Sequence, residues 1–177
     1  MKKTLTLAAV ILLATSMAYA QLGTTSPTNI LSVAVAAEGA LTISGTGTTN
    51  LTEAGNFANY QGTTSMTYFI RTTETGGSGS ITAKITADFS PTGGPSVATP
   101  PTGDSLTYGC TVAAPGTACT GPITALTTGT TTVATFSAAA HTTAAGKAAS
   151  VAWTLTNDPG YKVNTYTATV TFTINAA

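Results

Sequence analysis

The chain has 177 residues, 42 of them threonine, and it carries only six basic and six acidic residues. This charged share of 7% lies far below the roughly 25% of ordinary soluble domains and excludes a nucleic-acid binder, which needs a basic surface. The formal net charge of zero likewise excludes a solvating disordered tail, which depends on a high net charge.

The first twenty residues have the layout of a secretory signal peptide. Lys2 and Lys3 precede the apolar run 7–14, and Ala-Tyr-Ala at 18–20 is a small-x-small cleavage pattern. The run is shorter than the roughly 20 residues of a membrane-spanning helix, which disfavours an anchor. We therefore expect a bacterial protein exported to the periplasm, cell surface or exterior, with no membrane span once the mature chain starts at Gln21.

The segment 21–28 is polar and is predicted to be a flexible leader before a single domain over 29–177. That domain opens with the run 30–36, a possible donor or edge strand. Two alternatives stand about equal: the run pairs within its own subunit, or it adds to the sheet of a neighbouring copy. Its large apolar residues are Ile30, Leu31, Val33 and Val35.

Period-two alternation of apolar and polar residues dominates the rest of the chain and is typical of half-buried strands. Phe57 and Tyr60 are also expected to point inward from a stretch rich in Gly, Thr and Asn. The inward rows are predicted at Met66, Tyr68 and Ile70; at Ile81, Ala83, Ile85 and Ala87; at Leu106, Tyr108, Cys110 and Val112; at Val151, Trp153 and Leu155; and at Tyr166, Ala168, Val170, Phe172 and Ile174.

The connections between these rows carry turn residues. The segment 90–103, with four prolines and three glycines, is predicted to be a loop, and 157–160 reads Asn-Asp-Pro-Gly, a strong turn. The Ala-rich stretch 138–149 is predicted to be a loop or a weak edge, because Gly146 interrupts it and it has no apolar stripe.

Short strands, frequent turns and the lack of an amphipathic helix predict an all-β fold, an antiparallel immunoglobulin-like β-sandwich of seven to nine strands. The threonines at 165–173 form the outward half of the last strand and keep an uncharged face soluble. The core is expected to include Tyr68, Ile81, Ile85, Trp153, Tyr166, Val170 and Phe172.

The two cysteines, Cys110 and Cys119, are predicted to form one disulfide, because an isolated pair in an exported protein most simply does so. Pro115-Gly116 between them is a turn signal, so the bond would join the end of a strand to its returning partner. Closing such a loop stabilises the fold by about 3 kcal/mol in the chain-entropy description.

The inventory of reactive residues predicts that the chain is not an enzyme and has no cofactor or metal. His141 is the only histidine, and the chain has no Gly-x-Ser-x-Gly pattern and too few ligands for zinc. Two alternatives remain open: a carbohydrate-binding module that uses Tyr60, Tyr161 or the loop 90–103, and, less favoured, a hydrolase that depends on His141.

The C-terminal turn Asp158-Pro159-Gly160-Tyr161 and the run Thr-Tyr-Thr-Ala-Thr-Val-Thr-Phe-Thr-Ile at 165–174 resemble the closing turn and strand of small exported bacterial sandwiches. Chaperone–usher pilins and spore-coat-U-like proteins are of this type. The resemblance implies a structural subunit of a filament or surface coat, with copies of itself or related subunits, and a periplasmic chaperone, as partners. Sparse charge at the sheet edges supports assembly independently, because charged residues normally guard such edges.

Overall fold

The computed structural model describes residues 29–177, and the alternating segments of this part of the chain form β-strands. This part contains no helix, as predicted, and ten strands instead of the predicted seven to nine, three of them only two residues long. The signal peptide 1–20 and the leader 21–28 lie outside the described residues. The strands are β1 (Glu38–Ile43), β2 (Thr52–Glu53), β3 (Tyr60–Arg71), β4 (Gly79–Ser90), β5 (Leu106–Val112), β6 (Thr117–Ala118), β7 (Ile123–Thr124), β8 (Thr131–Phe136), β9 (Lys147–Leu155) and β10 (Thr167–Ala176).

The strands form two antiparallel sheets that face each other as a β-sandwich. One sheet has six strands, in the order β1-β3-β9-β5-β7 with β2 also paired to β3, and the other has the order β10-β4-β8-β6. Across the sandwich β1 lies near β10, and β5 lies near β6 and β8. The two sheets therefore run in the same lateral order, with β1 and β10 at one side and β5, β6 and β7 at the other.

The core lies between the sheets and is built from the predicted inward rows. Tyr68, Ile81, Ile85 and Trp153 are buried, whereas Val170 and Phe172 pack against the core but stay half-buried. The Trp153 indole donates from Nε1 to the Thr64 hydroxyl at 2.9 Å. Among the described residues no buried side-chain nitrogen or oxygen lacks a hydrogen-bond partner, which removes the cost of desolvating them.

Tyr166 lies outside the buried cluster, in contrast to its predicted place in the core. It precedes β10, and its hydroxyl donates to the Lys162 carbonyl at 2.7 Å. A Cβ built on Gly94 would collide with the Tyr166 ring, so the ring packs on the backbone of the loop after β4. The alternation of the sequence predicts that Tyr166 points inward. Alternation between two faces holds only within a strand, however, and β10 begins one residue later, at Thr167.

Two other inward assignments are wrong. Ala87 is exposed because β4 has one extra residue between Ile85 and Ala87, which pair with the consecutive residues Val170 and Thr169 of β10. This bulge reverses the face to which Ala87 points. Phe57 is 65% exposed and has a φ of 52°, in a turn between β2 and β3. Periodicity does not reveal either a bulge or a turn of this kind.

The Ala-rich stretch divides between a loop and a strand. Residues 138–146 form a loop, as predicted, but β9 begins at Lys147 and takes up the remaining three residues. Gly146 marks the boundary, with a φ of 72° and no space for a side chain, since a Cβ would lie 2.6 Å from Thr67 Cγ2. Only glycine fits this left-handed position beside β3.

Candidate functional site

The segment that precedes β1 exposes its large apolar side chains to solvent. Ile30, Leu31, Val33 and Val35 are 90%, 90%, 84% and 64% exposed, and residues 29–37 belong to no strand. Consecutive exposed apolar side chains are typical of a surface that another molecule covers. The prediction that these four residues form a donor or edge strand therefore stays a prediction about an assembled state.

Arg71 fixes the point where this segment joins the sandwich. Its Nε donates to the Ala36 carbonyl at 2.7 Å, and its Nη2 lies 3.1 Å from Glu38 Oε2. Both contacts are near the surface, so their net contribution to stability is small. Their effect is geometric, because they hold the residues immediately before β1 against the end of β3.

The strand β10 is a long edge without the usual protection. It has ten residues, none of them charged or proline, and it pairs only with β4 among the described strands. Its residues alternate between exposed and half-buried along the whole strand, so even the inward row remains partly open to solvent. The members of that row are Ala168, Val170, Phe172, Ile174 and Ala176.

The strand opposite β10, β1, is also an edge with a partly open inward row. Leu41 and Ile43 are half-buried, and Glu38 is the one charged residue of the strand. A Cβ built on Gly39 would lie 3.2 Å from Ile174 Cγ1, so the two edges approach each other closely at this end. We call the lateral side formed by β1 and β10 the open side of the sandwich.

The other lateral side is closed by the predicted disulfide. Cys110 on β5 is bonded to Cys119, directly after β6, with Cα atoms 5.5 Å apart. These strands belong to different sheets, so the bond connects the two layers instead of joining a strand to its hydrogen-bonded partner. The edge strands here, β6 and β7, have two residues each, and we call this the clasped side.

The loop between the cysteines is also held from inside the sandwich. The buried Tyr68 hydroxyl donates to the Ala113 carbonyl and accepts from the Gly116 amide at 3.2 Å. Burial, opposed by the Gly116 hydrogen bond, raises the pKa of Tyr68 above its ordinary value, so the phenol stays protonated and can donate. The clasped side therefore has a covalent tie and a buried polar tie in the same loop.

The tyrosines considered for carbohydrate binding lie at the end of the sandwich where β3 begins. The Tyr161 hydroxyl donates to Asp104 Oδ2, and its pKa is raised well above the ordinary value by burial, by that hydrogen bond and by nearby negative charge. Tyr60 lies close enough to contribute to this shift. The structure thus brings Tyr60 and Tyr161 together, with the Tyr161 hydroxyl already engaged.

The loop 90–103 is organised by Asp88. This carboxylate accepts hydrogen bonds from Ser96 Oγ and the Val97 amide, both at 2.7 Å, and from the amides of Phe89 and Ala98. Burial alone would raise the pKa of Asp88, but these four hydrogen bonds to the ionised form lower it below its ordinary value. The residue is therefore a structural acceptor that fastens the loop to the end of β4.

His141 lies at the opposite end from these tyrosines, where it forms an isolated bridge with Arg71. Its Nδ1 lies 3.0 Å from the Ala139 carbonyl. Two hollows, of about 350 and 270 Å³, both include Arg71 and His141 in their walls. No sequence pattern indicates this arrangement, because the two residues are separated by 70 positions and no motif connects them.

Within residues 29–177, no group of three or more His, Cys, Asp or Glu side chains is placed to hold a metal ion. In the same part of the chain there is no helix of the length and apolar character needed to cross a membrane.

Comparison with known proteins gives no relative: no family model, no curated protein and no solved structure matches the chain.

Proposed function

We propose that this chain is an exported structural protein of a bacterial cell exterior, an immunoglobulin-like sandwich whose copies associate strand to strand into a pilus-like filament or surface coat. The observation that carries the proposal is the presence, in one chain, of an exposed apolar segment at 29–37 and an uncharged free edge at β10. The proposal involves no catalytic step.

The two features are complementary in pattern. Leu31, Val33 and Val35 alternate with small residues, so in an extended chain they project to one face. That face matches the half-buried inward row of β10, which an added strand would cover. Main-chain hydrogen bonds to the edge would supply affinity, and alternate side chains would set the register.

The lengths are also compatible. Seven extended residues, 30–36, span about 23 Å, whereas the ten residues of β10 span about 33 Å. A segment of one copy therefore fits within the edge of the next. Contact between different copies forms a head-to-tail arrangement, which continues into a filament when it does not close into a ring.

Export in this proposal follows from the predicted signal peptide. The disulfide Cys110–Cys119 fits an oxidising compartment such as the periplasm, where such bonds persist. An apolar segment exposed before assembly would also need protection during export, which is the task expected of a periplasmic chaperone.

The donor segment can be tested with a matched pair of substitutions in the mature chain 21–177. We expect Val33→Asp to leave the protein monomeric, because a carboxylate cannot be buried against the β10 row. The control is Val163→Asp, since Val163 is fully exposed and lies outside every strand. Light scattering after size exclusion, over a range of concentrations, should show oligomers for the parent and the control alone; equal mass distributions in all three proteins would contradict the proposal.

The acceptor edge has its own matched pair. Thr173 on β10 and Thr132 on β8 are both exposed, and both pair with Thr82 on β4. We expect Thr173→Lys to weaken assembly, because lysine on an edge strand opposes addition of another strand, whereas Thr132→Lys lies on an inner strand and leaves assembly unchanged. Equal assembly of the two variants would exclude β10 as the acceptor and leave the donor result standing.

A further inference from the structure

The larger of the two hollows at the Arg71–His141 end has the size of a small-molecule site. Its volume of about 350 Å³ lies in the range of roughly 300–1,000 Å³ that ligand pockets occupy. It is formed where the end of β3 meets β1 and the loop 137–146. The polar and aromatic side chains in its wall are those of Glu38, Phe69, Arg71, His141, Thr142 and Thr143.

The loop that presents His141 is held more firmly than its alanine-rich sequence suggests. The buried Thr72 hydroxyl donates to the Ser137 carbonyl at 2.8 Å and accepts from the Ala140 amide at 2.9 Å. The Ala139 amide donates to the Thr73 carbonyl at 2.9 Å, and Ala139 has a φ of 58°, which is unfavourable for a residue with a Cβ. The surrounding bonds thus maintain a strained backbone next to His141.

The wall of the hollow offers hydrogen-bond donors and acceptors side by side. Because the Ala139 carbonyl can only accept, the His141 Nδ1 donates to it, and Nε2 is the ring nitrogen left to bond a ligand. Arg71 donates from Nε to the Ala36 carbonyl and from Nη2 to the Glu38 carboxylate. The N–H groups of its Nη1 can donate to a ligand. Glu38 bonds through Oε2 and keeps Oε1, and the Thr143 hydroxyl can both donate and accept.

An apolar platform completes the hollow. The Phe69 side chain is half-buried, and its ring atoms Cε1 and Cζ would stand 3.0 Å from a Cβ built on Gly146. Ala40 and Ala144 lie beside it in the same wall. An aromatic face next to paired donors and acceptors suits a ligand with an apolar C–H face and hydroxyl groups around its rim.

We propose that this hollow binds a neutral saccharide of one or two sugar units. The ion pair of Arg71 with Glu38, with Nη2 and Oε2 3.1 Å apart, compensates the local charge, and Glu74 adds a carboxylate to the adjoining hollow. An anionic ligand would therefore meet carboxylates as well as the guanidinium, whereas sugar hydroxyls can satisfy groups of both signs. The proposal is independent of assembly and places sugar recognition away from Tyr60, Tyr161 and the loop 90–103.

The test is an NMR titration of the mature chain with glucose, galactose, mannose and N-acetylglucosamine, and with glucuronate and inorganic phosphate as anionic probes. We expect saturable shifts of the His141 and Phe69 side-chain resonances with at least one neutral sugar. The variants His141→Ala and Phe69→Leu should each weaken binding by about tenfold, the effect of losing one hydrogen bond or one stacking contact. Tyr161→Phe, at the other end, should bind as the parent does.

Three results would overturn the proposal. One is the absence of shifts with every neutral sugar at tens of millimolar. A second is binding that Tyr161→Phe abolishes and His141→Ala leaves intact, which would move the site to the opposite end. The third is a response to glucuronate or phosphate alone, which would identify an anion site. Thermal melts of the variants show whether each keeps the fold, so that lost binding is not confused with unfolding.

Discussion

The clasped side and the open side of the sandwich end their sheets in opposite ways. On the clasped side the edges β6 and β7 have two residues each, and Cys110–Cys119 ties one sheet to the other. On the open side the edges β1 and β10 have six and ten residues, and the inward row of β10 is half-buried throughout. Edge protection is therefore concentrated on one side of the molecule, which leaves the other side suited to strand addition.

The substitution of phenylalanine by alanine can be made on both sides of the sandwich and should have its largest effect on the clasped side. Phe136 on β8 is buried and packs on Tyr68 with ring centroids 5.1 Å apart, whereas Phe172 on β10 is half-buried. We expect Phe136→Ala to reduce the free energy of unfolding by about 3–5 kcal/mol and Phe172→Ala by about half as much in the monomer. Urea denaturation of monomeric protein measures both, and equal losses would show that the open side is packed as tightly as the clasped one.

Removing the covalent tie should have the next largest effect. We expect the double variant Cys110→Ser, Cys119→Ser to lose about 2–3 kcal/mol of unfolding free energy, because the unfolded chain regains the freedom of the closed loop. Reduction of the parent protein should reproduce the loss, and the double variant should not respond to reductant. An unchanged midpoint in urea would mean that the buried contacts of the loop alone hold this side together.

The buried polar tie can be separated from the covalent one. Tyr68→Phe removes the hydroxyl that bonds to Ala113 and Gly116, whereas the Gly116 amide keeps its own bond to the Ala113 carbonyl at 3.1 Å. We therefore expect a loss of about 1 kcal/mol, the net worth of the buried hydrogen bonds of the phenol. The matched control is Tyr166→Phe near the open side, whose hydroxyl bonds to an exposed carbonyl that water can satisfy. Thermal unfolding should place Tyr166→Phe close to the parent; the reverse order would contradict the assignment.

The smallest expected effect concerns pH and the end of β4 beside β10. The lowered pKa of Asp88 means that its contribution to stability is present above the unfolded-state value of about 3.9 and is lost as pH falls through the folded-state value below it. Asp88→Asn should therefore weaken the dependence of stability on pH below about 4. Glu74→Gln, which removes an exposed carboxylate in the turn after β3 and leaves the loop 90–103 untouched, serves as the control.

Much of the strand content could be predicted from sequence because period-two alternation is a local property. The rows at Met66–Ile70 and Val151–Leu155 are buried as expected, and the two cysteines are bonded as expected. Alternation failed at Ala87, where a bulge adds a residue to β4, and at Tyr166, where the strand has not yet begun. The bulge is defined by how β4 pairs with β10, and the first residue of β10 is set by where that pairing begins. Neither can be predicted from the alternation of one strand alone.

The candidate sites were harder to predict than the strands. The order of strands within the sheets decides that β10 is an edge and that Cys110–Cys119 joins two layers, and this order is a long-range property. The hollow at Arg71 and His141 likewise joins residues from β1, β3 and a distant loop. The proposed donor segment could be suspected from sequence, because an apolar run beside a polar leader stands out in the chain itself.

The scarcity of charge on β1 and β10 also affects how association between copies depends on salt concentration. Salt weakens contacts between exposed charges over a distance of about 10 Å at 0.1 M, but it hardly affects contacts built from peptide groups and uncharged side chains. β10 has no charged residue and β1 has only Glu38. We therefore expect association through this side to have similar strength in dilute and in saline water.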